Sequence, residues 1–262
     1  METADGNERR GFLNRYAAIT RGIRRGFIAE WAVTIIVLLF GTTTLAQAFV
    51  IPSGSMEDSL LIGDHVLVDK LVYSPPGTVT GALLPYRDVR RGDMIVFRDP
   101  VDLKVDLVKR AIGIPGDHIR LVDKQLILNG HAVNEPYVKH IASANDSYRD
   151  NFPSTPNQPV PPSVADMLEN HVVNGELVVP PGFIFAMGDN RENSSDSRYW
   201  GLVPRGNIEG TPFLIYWSFD APESDLMSGN IGMDHVLDVV THFFTKTRWG
   251  RTLQLIRGYP LQ

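Results

Sequence analysis

The pattern of apolar and polar residues divides the chain into an uncharged N-terminal run and a long region of short segments. From Trp31 to Val50 the sequence WAVTIIVLLFGTTTLAQAFV carries no charge. As a helix, such a run reaches about 30 Å, enough to cross the hydrocarbon core of a bilayer. Six arginines and four acidic residues occupy residues 1–30, and basic flanks stay cytoplasmic. We therefore predict a cytoplasmic basic N-terminus over residues 1–27 and a transmembrane signal anchor over residues 28–50.

Two other interpretations of this run stay open. One is a helix buried in a protein core. The other is a cleavable signal peptide, because Ala46-Gln47-Ala48 is an A-x-A pattern after an apolar stretch.

Beyond the anchor the chain is rich in short runs of Val, Ile and aromatic residues, punctuated by Gly, Pro, Asn and Asp. These runs predict a mainly β fold. Asn129-Gly130 is a dipeptide typical of a hairpin turn. The predicted strands are His65–Val68, Met94–Phe97, His118–Val122, Gln125–Leu128, Glu176–Val179, Phe183–Met187 and Phe213–Trp217.

Two segments depart from this pattern. Residues 139–175 contain five prolines between Phe152 and Pro162, which favours an extended surface loop over a central strand. From Val236 to Ile256 apolar residues recur every three to four positions, as on one face of a helix. With Lys246, Arg248, Arg251 and Arg257, this tail suits an amphipathic helix on an anionic membrane or one packed against the β domain.

Composition excludes several function classes. The chain has 262 residues and a net charge of −5, so it lacks the basic excess of a nucleic-acid-binding protein. It has no cysteine, which excludes disulfides, Cys-ligated zinc and a cysteine nucleophile. None of its seven histidines belongs to an H-E-x-x-H pattern. We therefore predict neither a metal nor a cofactor.

The candidate chemistry begins directly after the apolar run, in Pro52-Ser53-Gly54-Ser55-Met56. A serine nucleophile needs a proton acceptor, and neither a G-x-S-x-G nor an S-x-x-K pattern is present. Lys109 lies among apolar residues, where loss of hydration lowers the pKa of an amine and lets it act as a base. A surface lysine with apolar neighbours is the alternative.

A polar segment, residues 188–201 (GDNRENSSDSRYWG), is the third element of this chemistry. Its Asp–Arg pairs can fix the shape of a loop through charge-assisted hydrogen bonds. Ser194 or Ser195 could orient a neutral lysine. A polar turn that only supports the fold is the alternative.

Four blocks in this order resemble the bacterial type I signal peptidases, which are membrane-bound Ser/Lys proteases. They are PSGSM (52–56) with LLIGD (60–64), RGDMIVF (91–97), KRAIGIPGD (109–117), and GDNR (188–191) through SRYWG (197–201). The resemblance covers roughly residues 28–218. The family often has Pro and Thr where this chain has Asp58 and Ser59, and some members have two membrane spans where we predict one.

The resemblance implies a role for each matching residue. Ser55 would be the nucleophile and Lys109 the general base. The Ser53 hydroxyl and the Ser55 backbone N–H would form the oxyanion hole, and Ser194 would orient Lys109. Ion pairs of Asp189, Arg191, Asp196 and Arg198 would support the site. The pockets for small substrate side chains would be lined by Phe49, Ile51, Met56, Leu60, Val66, Val96, Leu107 and Val108.

The resemblance also implies the architecture. We expect a signal-peptidase-like antiparallel β-sheet catalytic domain over residues 51–117 and 181–220, and a β-rich insertion domain with its Pro-rich loop over 118–180. One transmembrane helix precedes them, and a C-terminal tail over 221–262 follows.

The implied function is an endopeptidase of the plasma membrane, with its catalytic domain on the outer face, that removes signal peptides after A-x-A sites. Its partners would be signal peptides of exported precursors, the lipid bilayer and the export machinery, with no nucleic acid. The alternatives are a self-cleaving repressor-type Ser/Lys protease and a membrane-anchored β domain that binds exported chains without cutting them.

Overall fold

The computed structural model describes residues 26–73, 86–141, 145–227 and 233–261. The chain divides into two compact units, Met1–Thr43 and Thr44–Gln262. The predicted basic N-terminus lies almost entirely outside the described residues, since these begin at Gly26.

The described part of the first unit is one apolar helix. Helix α1 spans Phe27–Phe40 and buries none of its side chains. A π-helical segment, Gly41–Leu45, follows it in the chain. Within the described residues, no helix combines the length and the apolar character needed to cross a bilayer.

The predicted helical run ends earlier than the sequence indicated. Ala46–Val50 is not helical but forms strand β1, which pairs along its whole length with β2, Asp64–Asp69. Apolar character does not distinguish a short helix from a short strand. Pairing with β2 makes this segment a strand, and β2 begins 18 residues after the start of β1.

The second unit contains two antiparallel sheets, so the mainly β prediction is confirmed. The first sheet has the strand order β1-β2-β12-β3-β4-β10-β11, with β13 paired to β12. Its further strands are β3 (Met94–Arg98), β4 (Asp106–Gly113), β10 (Phe183–Met187), β11 (Val203–Pro204), β12 (Ile208–Ser218) and β13 (Gln254–Leu255). The long β12 joins the β1–β2 pair to the β3–β4 pair.

The second sheet has the order β7-β6-β5-β9-β8. Asn129 and Gly130 both have positive φ between β6 and β7, so the predicted hairpin turn is confirmed. All strands of the second sheet lie within residues 118–180, the range predicted for the insertion domain. They are β5 (His118–Val122), β6 (Gln125–Leu128), β7 (His131–Ala132), β8 (Val172–Val173) and β9 (Glu176–Val178).

The Pro-rich stretch is more ordered than a plain surface loop. Tyr148 and Phe152 are fully buried in the core of the second sheet. Helix α2, Pro162–Asn170, begins with a proline in its first turn, where the missing N–H costs no hydrogen bond. The apolar residues Val164 and Met167 of this helix are buried.

Among the described residues, three further α-helices follow: α3 (Ser197–Trp200), α4 (Glu223–Met227) and α5 (Met233–Lys246), which is kinked at His242. The C-terminal helix predicted from Val236 to Ile256 therefore ends at Lys246. Beyond it the backbone pairs with the first sheet, since Gln254 and Leu255 form β13 on the long strand β12. Sheet pairing has overridden the helical spacing of Trp249, Leu253 and Ile256.

Candidate active site

Ser55 lies in a tight turn that follows β1. Gly54–Met56 forms a single 3₁₀ turn, and the turn is held from across the molecule by Asn190. The Asn190 amide nitrogen Nδ2 donates to the Gly54 carbonyl at 3.1 Å, and the Asn190 backbone N–H donates to the Ser55 carbonyl at 3.1 Å. These two bonds fix the backbone on either side of the Ser55 hydroxyl.

Lys109 lies in the middle of β4 and points at this hydroxyl. Its Nζ lies 2.7 Å from Ser55 Oγ. Lys109 is only 3% exposed, and burial lowers the pKa of its amine to about 8. Lys109 is therefore not the surface lysine that the sequence left open. At neutral to mildly alkaline pH a useful fraction of the amine is neutral and can accept a proton from Ser55.

The polar segment 188–198 lies against this pair, and most of its residues are buried. Asp196 and Arg198 form a two-bond ion pair, Nε–Oδ1 at 2.8 Å and Nη2–Oδ2 at 2.7 Å. Asp196 also accepts from the backbone N–H groups of Arg198 and Gly188, both at 3.2 Å. The Arg198 guanidinium further donates to the Arg191 carbonyl at 2.8 Å. Three of the four charged residues predicted to support the site are therefore buried in one hydrogen-bonded loop: Arg191, Asp196 and Arg198.

Arg110 is a central residue that the sequence analysis missed. Its guanidinium donates two bonds to Asp189, at 2.8 and 2.6 Å, and one to the Gly92 carbonyl at 2.7 Å. Ser59 completes the arrangement, because its hydroxyl donates to Asp189 at 2.6 Å. Arg110 follows Lys109 directly, and its partners lie 18, 51 and 79 residues away. The position of this charged residue inside a largely apolar strand could have identified Arg110 from the sequence.

The segment around Lys139, which follows the β6–β7 hairpin, pairs with the backbone of the polar loop. Lys139 N–H donates to the Asp189 carbonyl at 2.9 Å, and Arg191 N–H donates to the Lys139 carbonyl at 3.2 Å. The Arg191 side chain forms an ion pair with Glu135. Glu192 binds Lys124 at 3.0 Å and His140 at 2.9 Å, and despite its burial these partners lower the pKa of Glu192 to about 2.

Ser194 lies beside Ser55 without bonding to Lys109. A Cβ atom added to Gly188 would collide with both the Ser194 hydroxyl and the Ser55 carbonyl oxygen, so all three residues meet at one point. Ser194 Oγ is buried and has no hydrogen-bond partner among the described residues. The expected bond to Lys109 is thus absent here, and the orienting role of Ser194 stays a prediction.

Ser53 is partly exposed, two residues before Ser55, and its hydroxyl does not cap the turn. Its proposed place in the oxyanion hole therefore stays a prediction as well.

Seven of the eight predicted pocket residues share one apolar cluster. Leu107 is the exception, because it lies on the other face of β4 and packs with a different cluster. Leu60, Val66 and Val96 are fully buried. Phe49 and Val108 are only partly buried at the border of the cluster, so they would form the exposed part of a pocket wall. The seven are Phe49, Ile51, Met56, Leu60, Val66, Val96 and Val108. Among the described residues, no group of three or more His, Asp or Glu side chains could hold a metal ion.

Comparisons with known proteins found one matching protein family and several similar proteins. Residues 24–217 match the family model described as "Signal peptidase, peptidase S26". The chain is similar to signal peptidase I of Aquifex aeolicus (strain VF5), 35% identical over 74% of this chain and 85% of that protein. It is 33% identical to signal peptidase I of Pseudomonas aeruginosa over 72% of this chain and 71% of that protein. A crystal structure of a signal peptidase I from Enterococcus faecalis V583 is 30% identical, with a TM-score of 0.36, over 48% of this chain and 97% of that chain.

Proposed function

The chain belongs to the S26 family of signal peptidases, and from this premise we propose that it is a serine endopeptidase that removes signal peptides from exported precursor proteins. One observation carries the proposal for this chain's own residues. The buried amine of Lys109 lies 2.7 Å from Ser55 Oγ, which is hydrogen-bond reach for a nucleophile and its base. Ser55 is the nucleophile and Lys109 the general base.

The first step transfers a proton and forms a bond. Neutral Lys109 accepts the Ser55 hydroxyl proton while Ser55 Oγ bonds to the carbonyl carbon of the scissile peptide. Burial makes this step accessible, because it lowers the pKa of Lys109 to about 8. Protonated Lys109 then gives the proton to the leaving amine, and the C–N bond breaks. Neutral Lys109 then accepts a proton from a water molecule, whose oxygen bonds to the ester carbonyl carbon. The bond from this carbon to Ser55 Oγ breaks, and Lys109 returns the proton to Ser55.

Negative charge develops on the carbonyl oxygen during both steps. We assign its stabilisation to the Ser55 backbone N–H and the Ser53 hydroxyl. Ser53 directly precedes the 3₁₀ turn, and Ser55 is its middle residue. Preorganised donors of this kind contribute about 10²–10³ in rate each. The turn is suited to hold these two donors, because Asn190 fixes the Gly54 and Ser55 carbonyls.

The substrate binds as an extended strand beside Ser55. β3 pairs with β4 along Asp106–Arg110, but β10 covers the other edge of β4 only from Arg110 to Gly113. Among the described strands, the edge from Asp106 to Lys109 therefore has no partner. An extended peptide adding to this edge would pass the Lys109 amine, with main-chain hydrogen bonds supplying affinity. Phe49 and Val108 would contact small side chains of an A-x-A site.

We place the protein at the plasma membrane, with its second unit on the outer face. The support is the apolar helix α1, whose side chains are all exposed, and an exposed apolar surface of this kind suits lipid. The alternative of an A-x-A signal peptide cut after Ala48 predicts a soluble product beginning at Phe49. N-terminal sequencing of the membrane-extracted protein distinguishes the two.

The test of the proposed function is cleavage of a signal-bearing precursor in detergent by the wild-type chain and by Ser55→Ala. We expect one cut after an A-x-A site by the wild type and none by the variant. Ser195→Ala is the matched control, because Ser195 lies in the polar loop but is exposed. Binding without cleavage by the wild type, or equal cleavage by Ser55→Ala, contradicts the proposal.

A further inference from the structure

The C-terminal segment contacts the residues that follow Ser55, although it lies outside the family match, which ends at residue 217. Thr247 pairs with Phe219, β13 pairs with β12, and Leu261 is buried in the core of the second sheet. Residues 247–261 thus run from the first sheet to the insertion domain. We call this segment the C-terminal strap, and residues 53–63 the Ser55 loop.

Two arginines of the strap bind carbonyl oxygens of the Ser55 loop. Arg251 Nη2 donates to the Ser59 carbonyl at 3.1 Å, and Arg248 Nη1 donates to the Ile62 carbonyl at 2.8 Å. Hydrogen bonds from a guanidinium are charge-assisted and stronger than neutral ones. The loop is therefore held by Asn190 at Gly54 and Ser55 and by the strap at Ser59 and Ile62.

Arg251 also neutralises a buried carboxylate at the end of the same loop. Asp64 is fully buried, and Arg251 binds it at 2.6 Å. The other Asp64 oxygen accepts from Ser218 Oγ at 2.6 Å. A buried carboxylate without a cation is costly, so the charge of the strap is part of the loop's structure.

Two further strap residues, Ile256 and Tyr259, contact the neighbours of the catalytic residues. Ile256 packs against the apolar cluster that contains Met56 and Leu60. The Tyr259 carbonyl lies so close to Gly92 that a Cβ there would collide with it. The Tyr259 ring lies 5.4 Å from that of Tyr137 and 5.6 Å from the Arg110 guanidinium. Arg110 is the residue after Lys109.

From these contacts we propose that the C-terminal strap positions the Ser55 loop for catalysis, with Arg248, Arg251 and Tyr259 as positioning residues. The proposal rests on the proposed function for its kinetic readout. A misplacement of about 1 Å can cost roughly 10²-fold in rate, so a loosened loop lowers kcat even though no strap residue touches substrate.

The test uses the full-length chain with Arg248→Lys and Arg251→Lys combined. Arg248 also binds Asp220 at 2.6 Å. Lysine keeps the positive charge opposite Asp64 and Asp220, so the fold is retained, but it lacks the guanidinium fork needed to reach the second acceptor. We expect kcat on a soluble A-x-A peptide to fall about tenfold or more, with KM changed less than about twofold. Hydrogen exchange of the amides of residues 54–62 becomes faster, while exchange in β5 and β6 is unchanged. Arg257→Lys is the control, because Arg257 is an exposed strap residue.

A second pair of variants tests the tyrosine. Tyr259→Phe keeps the ring against Tyr137 and Arg110 and retains normal kcat, whereas Tyr259→Ala lowers it. All rates are normalised to the fraction of Ser55 titrated by a serine-directed covalent inhibitor. Kinetics and exchange equal to the Arg257→Lys control overturn the proposal. So does a smaller titratable fraction with normal kcat per titrated site, which indicates a purely structural strap.

The two proposals fail in different ways. An inactive wild-type chain contradicts the proposed function, and the hydrogen-exchange comparison then still tests the strap. An active wild type with unchanged exchange in the variant contradicts only the strap.

Discussion

The polar loop beside Lys109 buries charged side chains, whereas helix α5 exposes apolar ones. In the loop, Asp189, Arg191, Asp196 and Arg198 are each 3% exposed or less. In α5, Val240 is 71% and Phe244 is 79% exposed. Burying charge costs free energy unless every charge is paired, and exposing apolar surface forgoes the hydrophobic gain. Both arrangements therefore cost folding free energy. In the loop, ion pairs with neighbouring side chains offset this cost.

The loop's pairing has a consequence for the base. Asp196 and Asp189 raise the pKa of Lys109, whereas Arg198 lowers it. Each carboxylate is bound to an arginine, Asp196 to Arg198 and Asp189 to Arg110. The desolvation of Lys109 therefore dominates, and its pKa stays below that of an exposed lysine. The loop stabilises the turn without restoring the charge of the amine.

The largest expected effect comes from Lys109→Arg. A guanidinium stays protonated at any relevant pH and cannot accept the Ser55 proton. We expect kcat/KM to fall by about 10⁴-fold or more, with folding retained as judged by circular dichroism. Lys124→Arg is the control, because it keeps a cation near Glu192 and should cleave normally. Measurable turnover by Lys109→Arg at the wild-type level would remove Lys109 from the mechanism.

Gly188→Ala tests how tightly the loop meets the Ser55 turn. The new methyl group collides with the Ser194 hydroxyl and with the Ser55 carbonyl, so the turn has to move relative to Lys109. We expect kcat to fall about 10²-fold, since small displacements of a nucleophile are costly. The same substitution at Gly206, where a Cβ meets nothing within 4 Å, is the control. Unchanged kcat would show that the turn adapts.

Arg198→Met sharpens the comparison by unpairing one buried charge. It leaves Asp196 buried without its cation, which costs about 3–5 kcal/mol in the free energy of unfolding. It also removes the charge that lowers the pKa of Lys109, so the rate profile shifts to higher pH. Urea unfolding and a pH–rate series measure the two effects. Arg98→Met, at an arginine whose side chain is 57% exposed, should cost less than about 1 kcal/mol. Similar losses in the two variants would refute the argument from burial.

The same pKa gives the wild-type pH dependence. Because only neutral Lys109 is active and its pKa is about 8, kcat/KM rises about tenfold per pH unit below 8 and levels off above it. The measurement is cleavage of a soluble peptide from pH 6 to 10 at constant ionic strength. A profile that is flat from pH 6 to 8 would indicate a base with a lower pKa.

Local pattern predicted much of this structure, and long-range pairing decided the rest. The strand runs and the Asn129-Gly130 turn follow from neighbouring residues, and the four motifs identified Ser55 and Lys109. Nothing local distinguishes Ala46–Val50 as a strand, because its partner β2 is what makes it one. Likewise Arg251 acquires its role from Asp64, 187 residues away. The spacing of the apolar residues from Val236 to Ile256 predicted a helix that would include Arg251, but the observed helix ends at Lys246.

The smallest effect on the isolated protein is expected at α5. Leu237 and Val240 are exposed, so Leu237→Ser with Val240→Ser should change the free energy of unfolding by less than about 0.5 kcal/mol. Cleavage of a soluble peptide should be unchanged, because the strap contacts described above lie beyond Lys246. If the exposed face binds an anionic lipid surface, processing of a precursor embedded in vesicles falls while the soluble assay does not. The two substitutions leave the strap, residues 247–261, unchanged. Equal loss with both substrates would instead mean that α5 supports the fold, and no loss with either would contradict the membrane role.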